Sequence, residues 1–334
     1  MNHRIPALAV WGLVWLFAAS PTLARETSHE SALEVVATIG MIGDLAENVG
    51  GPCVKVTSIM GPGVDPHLYR ASARDVRTLQ HADIILYSGY SLEGQLGAVL
   101  ERFSRMKPTL AVAETAIGSD DLIKVQGAYG VDPHLWMDVG LWSRTVARLA
   151  AAIAEQRPAC AEASRTRAAA YADQLAALHQ WVREAIASIP AERRILVTAH
   201  DAFNYYGRAY GIEVAGIQGI STESEAGIAD IRHMAGIIAE RRVPAVFIES
   251  TINPRTIQAV IEAAADQGQA VRIGGQLYSD AMGETGTAGG TYIGMIYENT
   301  AKIVDALGGR PPPLPPALRA WAERWEIADE QAES

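Results

Sequence analysis

Cysteine is almost missing: Cys53 and Cys160 are the only two in 334 residues. They form no CxxC pair, which excludes a cysteine-built zinc or iron–sulfur cluster. Basic runs are also absent. With 28 Lys and Arg against 38 Asp and Glu, the net charge is -10, so the electrostatic footprint of a nucleic-acid binder is lacking. No HExxH, no GxSxG and no paired-carboxylate cluster of a two-metal hydrolase occurs. Beyond the N-terminus, no segment approaches the run of about 20 apolar residues needed to span a bilayer. What remains is globular composition, 49% hydrophobic and 20% charged. The chain is long enough for two domains of ordinary size.

Export is written at the start. Met1-Asn2-His3-Arg4 is a short positive region, and an apolar stretch runs from Ala7 to Ala19. Thr22-Leu23-Ala24 offers the small residues a signal peptidase reads, which predicts a signal peptide over 1–24 cleaved after Ala24. No Cys follows the apolar run, so the expected product is free in an envelope compartment rather than lipid-anchored. Two cysteines in an exported protein can pair, but their wide separation leaves this open.

From Leu33 onward, short β-branched runs alternate with helical runs. Strands are expected at Leu33–Ile39, Val54–Met60, Ile84–Tyr87, Thr109–Val112, Arg194–Ala199, Glu213–Ile217, Ala245–Ile248 and Val271–Ile273. Helices are expected between them, one at Leu92–Phe103 and a last one at Leu318–Ile327. Such alternation predicts an α/β fold with parallel sheets covered on both faces. Ala159 to Ser188 differs: it is Ala-rich and Gly-free, with Tyr171, Leu175, Leu178 and Val182 at helical spacing. A helix of about 30 residues there would be about 45 Å long, a stiff spine between two lobes. The expected division is 32–158, a connecting helix over 159–190, and 191–334.

One pattern occurs twice. Val64-Asp65-Pro66-His67-Leu68-Tyr69 is matched by Val131-Asp132-Pro133-His134-Leu135-Trp136. Proline fixes its own φ and forces the preceding residue to be extended, so each His starts from a stiff backbone. The Asp before it suits an imidazole N–H or a loop amide. His200 closes the Ile195–Ala199 run, at the carboxyl end of a strand where open α/β sheets bind ligands. Asp280 follows the strand ending near Ile273, and Glu249 ends the strand before that. His67, His134, His200 and Asp280 therefore assemble on paper into one four-coordinate site bridging the lobes. Glu249 reads as a supporting acceptor, and Asp138 and Asp201 as caps or supports. His3, His29, His81, His179 and His233 lack this context. Imidazoles with carboxylate suit Zn²⁺ or Mn²⁺ and not Ca²⁺ or Mg²⁺.

With these motifs in hand, the chain resembles the TroA-like zinc/manganese solute receptors of metal ABC importers. The resemblance is carried by Val64–Tyr69, Val131–Asp138, Val197–Phe203, Gln218–Thr222, Phe247–Ser250 and Ile273–Gly283. It implies a periplasmic binding protein whose metal ligands are His67, His134, His200 and Asp280. It also implies one divalent ion as cargo (Zn²⁺ or Mn²⁺, with Fe²⁺ admitted) and a membrane permease as partner. A monomer without catalytic residues is the expectation. Two departures bear on the cargo. Gly118–Gly130 is short and contains no His, where zinc-devoted members often carry a His-rich loop. His200 stands where manganese receptors often have Glu. The rival readings are a zinc-dependent hydrolase using Glu249 as base, which requires Asp280 not to be a ligand, and an adhesin on the same fold.

Overall fold

The protein is described by a computed structural model over Met1 and residues 31–126 and 130–327. The expected signal peptide and the flexible segment after it fall, apart from their end residues, outside the described residues. Short apolar, β-branched runs become strands β1 (Leu33–Ala37), β2 (Val54–Ser58), β3 (Ile84–Tyr87) and β4 (Thr109–Ala111). They form one parallel sheet in the order β2-β1-β3-β4, with Val35 opposite Val56 and Ile84, and Leu86 opposite Leu110. Between and after them lie α1 (Gly40–Gly50), α2 (Ala73–His81), α3 (Gly97–Ser104), α4 (Val112–Ala116), α5 (Val139–Trp142) and α6 (Arg144–Gln156). Helix α2 is held by a capping box: Ser72 Oγ accepts from the Asp75 amide, and Asp75 returns a bond to the Ser72 amide.

The spine is α7 (Ala161–Ala187). After it come β5 (Ile195–His200), α8 (Asn204–Tyr210), β6 (Glu213–Gln218), α9 (Ile228–Arg241), β7 (Ala245–Glu249), α10 (Arg255–Asp266), β8 (Arg272–Leu277), α11 (Tyr292–Leu307) and α12 (Arg319–Arg324). β5 pairs β6 and β7 pairs β8, both in parallel. The two faces of this second layer serve two cores, as parallel sheets require. Ile195, Val197 and Val246 pack with Met234, Ile238 and Val260. Leu196, Phe247 and Leu277 face the opposite way into the main core.

That main core runs continuously from Leu33 to Ala322. Helix α7 lies in it, with Tyr171, Leu175, Leu178, Val182, Ala185 and Ile186 buried on one stripe. It packs against α1, α5 and α6 on one side and α8 and α11 on the other. Residues 32–334 form a single compact unit. Among the described residues, no helix is long and apolar enough to cross a membrane.

Three expectations needed correction. Leu92–Phe103 is not one helix: a 3₁₀ turn at Gly94–Leu96 precedes α3, because Gly94 adopts φ +39. The spine opens with a 3₁₀ turn at Pro158–Cys160 before α7 begins. The sequence reading also lacked α6 and α11.

Cys53 and Cys160 are bonded, with their Cα atoms 6.2 Å apart. The bridge ties the turn before β2 to the foot of the spine and closes a loop of 107 residues. A loop of that size predicts about 2–5 kcal/mol of stabilisation. Cys53→Ser should therefore lower the unfolding free energy by that margin, read as a lower urea midpoint at unchanged slope, without loss of native circular dichroism. An unchanged midpoint would show the bridge to be energetically idle.

Candidate metal centre

The carboxyl ends of the strands converge on one point. His200 is the last residue of β5 and Glu249 the last of β7, while Asp280 lies three residues past β8. His67 comes from the loop between β2 and α2, and His134 from the loop before the Leu135–Met137 turn. The four proposed ligand residues are buried, at 1% exposure or less. One donor atom from each lies within 4.8 Å of all the others.

The spacing is that of a coordination sphere. His67 Nε2 stands 3.3 Å from His134 Nε2 and 3.5 Å from Asp280 Oδ2. His134 Nε2 is 3.2 Å from Asp280 Oδ1, and His200 Nε2 is 3.2 Å from Asp280 Oδ2. Ligands at about 2.0–2.1 Å from a tetrahedral zinc stand about 3.3–3.4 Å apart. His200 Nε2 and both Asp280 oxygens make no hydrogen bond of acceptable geometry despite this closeness. Buried polar atoms are almost always satisfied, so these donors face a common point rather than each other.

The repeated motif works as the sequence proposed. Asp65 Oδ1 accepts the His67 amide at 2.8 Å, and Asp132 Oδ1 accepts the His134 amide at 3.0 Å. Asp132 Oδ1 also lies 2.7 Å from His134 Nδ1, which orients the ring to present Nε2. Glu249 supports His200 differently: its Oε1 accepts the His200 amide at 2.9 Å, while Oε2 lies 2.6 Å from Nδ1 as a close charge contact without hydrogen-bond geometry.

Each aspartate also reaches across the molecule with its second oxygen. Asp65 Oδ2 accepts from Thr222 Oγ1 at 2.6 Å, and Asp132 Oδ2 accepts from Asn204 Nδ2 at 3.1 Å. Tyr205 Oη donates to the Asp132 carbonyl at 2.9 Å, and Trp136 Nε1 donates to the Ser279 carbonyl at 2.9 Å. The residues from 191 onward thus hold both histidine loops in place.

Burial and charge set the protonation. Burial drives the His67 pKa down to about 4, against the pull of Asp280. For His134 burial also favours the neutral ring, but Asp132 and Asp280 outweigh it and push the pKa up to about 9. His200 likewise rises well above its ordinary value, because Glu249 and Asp280 overcome its burial. Asp280 is held well below the usual carboxylate range: burial opposes ionisation, and His200 and His134 override it.

The other candidates stand apart from this group. Asp138 Oδ1 caps α5 through the Leu141 amide at 3.1 Å. Asp201 Oδ1 accepts from the Gly216 amide at 3.1 Å. His179 Nδ1 accepts from the Gly140 amide at 3.1 Å, and His81 Nδ1 bonds the Arg77 carbonyl at 2.7 Å as the last residue of α2. His233 sits on α9, and His3 and His29 lie outside the described residues.

Several supporting residues escaped the sequence reading. Glu93 is buried and accepts from Thr38 Oγ1 at 2.8 Å and from the Ser88 amide at 2.5 Å. Its neighbour Gly94 lies against the His67 backbone. A Cβ there would stand 2.6 Å from the His67 carbonyl oxygen. Asn204 and Tyr205 carried no signal, because their role depends on contacts 72 and 73 positions away, and Thr222 entered only within the segment that carries the resemblance.

This is a closed, dry candidate cation centre at strand ends, the arrangement of a binding protein. Comparison with known proteins places it further. A family profile described as "Zinc-uptake complex component A periplasmic" matches residues 35–306, and the chain belongs to that family. The manganese-binding lipoprotein MntA of Bacillus subtilis is 47% identical over 280 residues, covering 84% of this chain and 91% of the relative. The zinc-binding protein TroA of Treponema pallidum is 46% identical over 284 residues, covering 85% and 92%. The iron-binding protein YfeA of Yersinia pestis is 32% identical over 295 residues, covering 87% and 92%. The solved structure of T. pallidum TroA superposes with a TM-score of 0.81 at 45% identity, over 84% of this chain and 100% of that one.

Gly94→Ala tests the buttress behind His67. It combines a positive φ with the clash against His67, so it should cost about 1–3 kcal/mol of stability. It should also displace His67, read as a broadened His67 ring signal in NMR. Full stability and an unmoved ring would remove Gly94 from the support of the site.

Proposed function

We propose that this chain is the binding protein of an ABC importer, carrying one divalent first-row transition-metal ion held by His67, His134, His200 and Asp280. The observation that carries the reading is the convergence of four buried residues, each with one donor atom within 4.8 Å of all the others, two of them with donor atoms left without hydrogen bonds. Zinc or manganese is the cargo the donor set suits, with iron(II) also accommodated, in keeping with relatives named for all three metals. Whatever the physiological cargo, such a site binds Zn²⁺ more tightly than Mn²⁺. The ligands divide between two lobes, 32–158 and 191–334, joined by the connecting helix 159–190. The chain works outside the cytoplasm after losing residues 1–24, and delivers the ion to a membrane permease.

Binding without chemistry is the reading the geometry favours. A catalytic zinc keeps an open position for water beside a general base. Here Asp280 fills the fourth position, and Glu249 is committed to both the amide and the ring of His200. The hydrolase reading required the reverse.

Two measurements test this. A ligand bound only by the native state raises Tm as its excess grows. Zn²⁺ should therefore raise Tm of the wild type, and His67→Ala and Asp280→Ala should each lose most of that rise. A variant keeping the full rise is not missing a ligand.

The second concerns protons. His134 is protonated below about pH 9 in the ion-free protein, and His200 is protonated at neutral pH. Both must become neutral to coordinate, so uptake at pH 7 should release about two protons per ion. Affinity should then fall as pH drops through about 9, where His134 takes up its proton. Calorimetry in buffers of different ionisation enthalpy gives the count directly. No proton release would contradict the assignment of His134 and His200.

A further inference from the structure

The two aspartates of the repeated motif bind across the molecule in unequal surroundings. Asp132 meets Asn204 beside Tyr205, a fully buried ring whose hydroxyl also accepts the Ile123 amide at 3.0 Å. That side is packed solid. Asp65 instead meets Thr222, which is itself buried but sits in a loop whose neighbours Gly219, Glu223, Ser224 and Glu225 are exposed. Between the end of β6 and the start of α9, this loop contributes no strand or helix. A cleft of about 660 Å³ has Pro62, Val64, Met282 and Asp280 among its lining residues. The ligands are sealed from water, so an ion can exchange only when some part of the cage moves.

We propose that the Thr222–Asp65 hydrogen bond is the clasp that gates ion exchange, so that Thr222 sets the dissociation rate without touching the ion. This rests on the reading of the site as a transported-ion centre. Asp65 uses one oxygen to hold the His67 amide and the other to hold Thr222. Releasing Thr222 loosens the loop that carries His67 through Asp65, while the His134 loop stays held by Asn204 and Tyr205 and His200 by its place at the end of β5. Thr222 is a positioning residue: it acts on the ion through Asp65 and His67. A bond to a carboxylate in a water-poor setting is among the stronger ones, and its loss corresponds to roughly tenfold or more in an opening equilibrium.

The experiment uses the full mature chain loaded with Zn²⁺ and mixed rapidly with EDTA. Thr222→Val should release Zn²⁺ roughly tenfold faster than the wild type, and Thr222→Ser, which restores the hydroxyl, should return to the wild-type rate. The visible spectrum of bound Co²⁺ should be the same in all three, because the ligand cage is untouched. Release from Thr222→Val at the wild-type rate would overturn the clasp. So would an altered Co²⁺ spectrum, which would make Thr222 a structural support of the cage and not a gate. A wild-type chain that takes up neither metal overturns the transport reading itself, a result separate from either of these.

Discussion

Everything in this molecule answers to one electrostatic constraint: a carboxylate and three imidazoles sharing a dry point. An unpaired buried charge costs several kcal/mol, and donor atoms crowded at 3.2–3.5 Å repel or compete unless something sits among them. Without an ion, protons on His134 and His200 balance the negative charge of Asp280, Asp132 and Glu249. A divalent cation replaces those protons and uses every donor at once.

The surroundings of the site are built from few devices, used repeatedly. A strand end fixes His200 and Glu249 with the rigidity of the β5 and β7 ladders behind them. An Asp-Pro-His turn fixes His67 and His134 by closing an aspartate onto the histidine amide two residues later. Proline stiffens the backbone, and the aspartate supplies the acceptor. A metal centre needs its donors held to a fraction of an ångström, and neither device leaves much slack.

Much of this was legible before any coordinates. The duplicated motif marked His67 and His134 because two stiff histidine turns are unlikely to recur without purpose. The Ile195–Ala199 run marked His200 because strand ends in α/β sheets are where ligands sit. The spine was visible in the spacing of Tyr171, Leu175, Leu178 and Val182, all of which are buried as that spacing requires. What stayed hidden was non-local. Gly94 comes against the His67 backbone, and Glu93 reaches Thr38 and Ser88, only once the chain has folded. The Cys53–Cys160 bridge joins positions 107 apart, and no local pattern encodes that distance. Helix α11 also passed unread, although Glu298, Lys302 and Asp305 lie on one face of it opposite its buried residues.

The continuous core also limits how the site can open. A hinge between two independent lobes would need few contacts across the boundary. Here α7 is packed by helices from both halves, and one apolar cluster runs through the whole of it. Wide separation would expose that cluster at about 25 cal/mol per Å² of apolar surface, so large hinge motion is the expensive route. Loop movement exposes far less. The segment carrying His67 contains Gly61 and Gly63, and the one following Asp280 contains Gly283, Gly286, Gly289 and Gly290. Gly63 and Gly286 already adopt positive φ, a conformation that side chains resist and glycine tolerates. Rigidity is thus concentrated where the ligands are anchored on strands, and conformational freedom where they sit on loops.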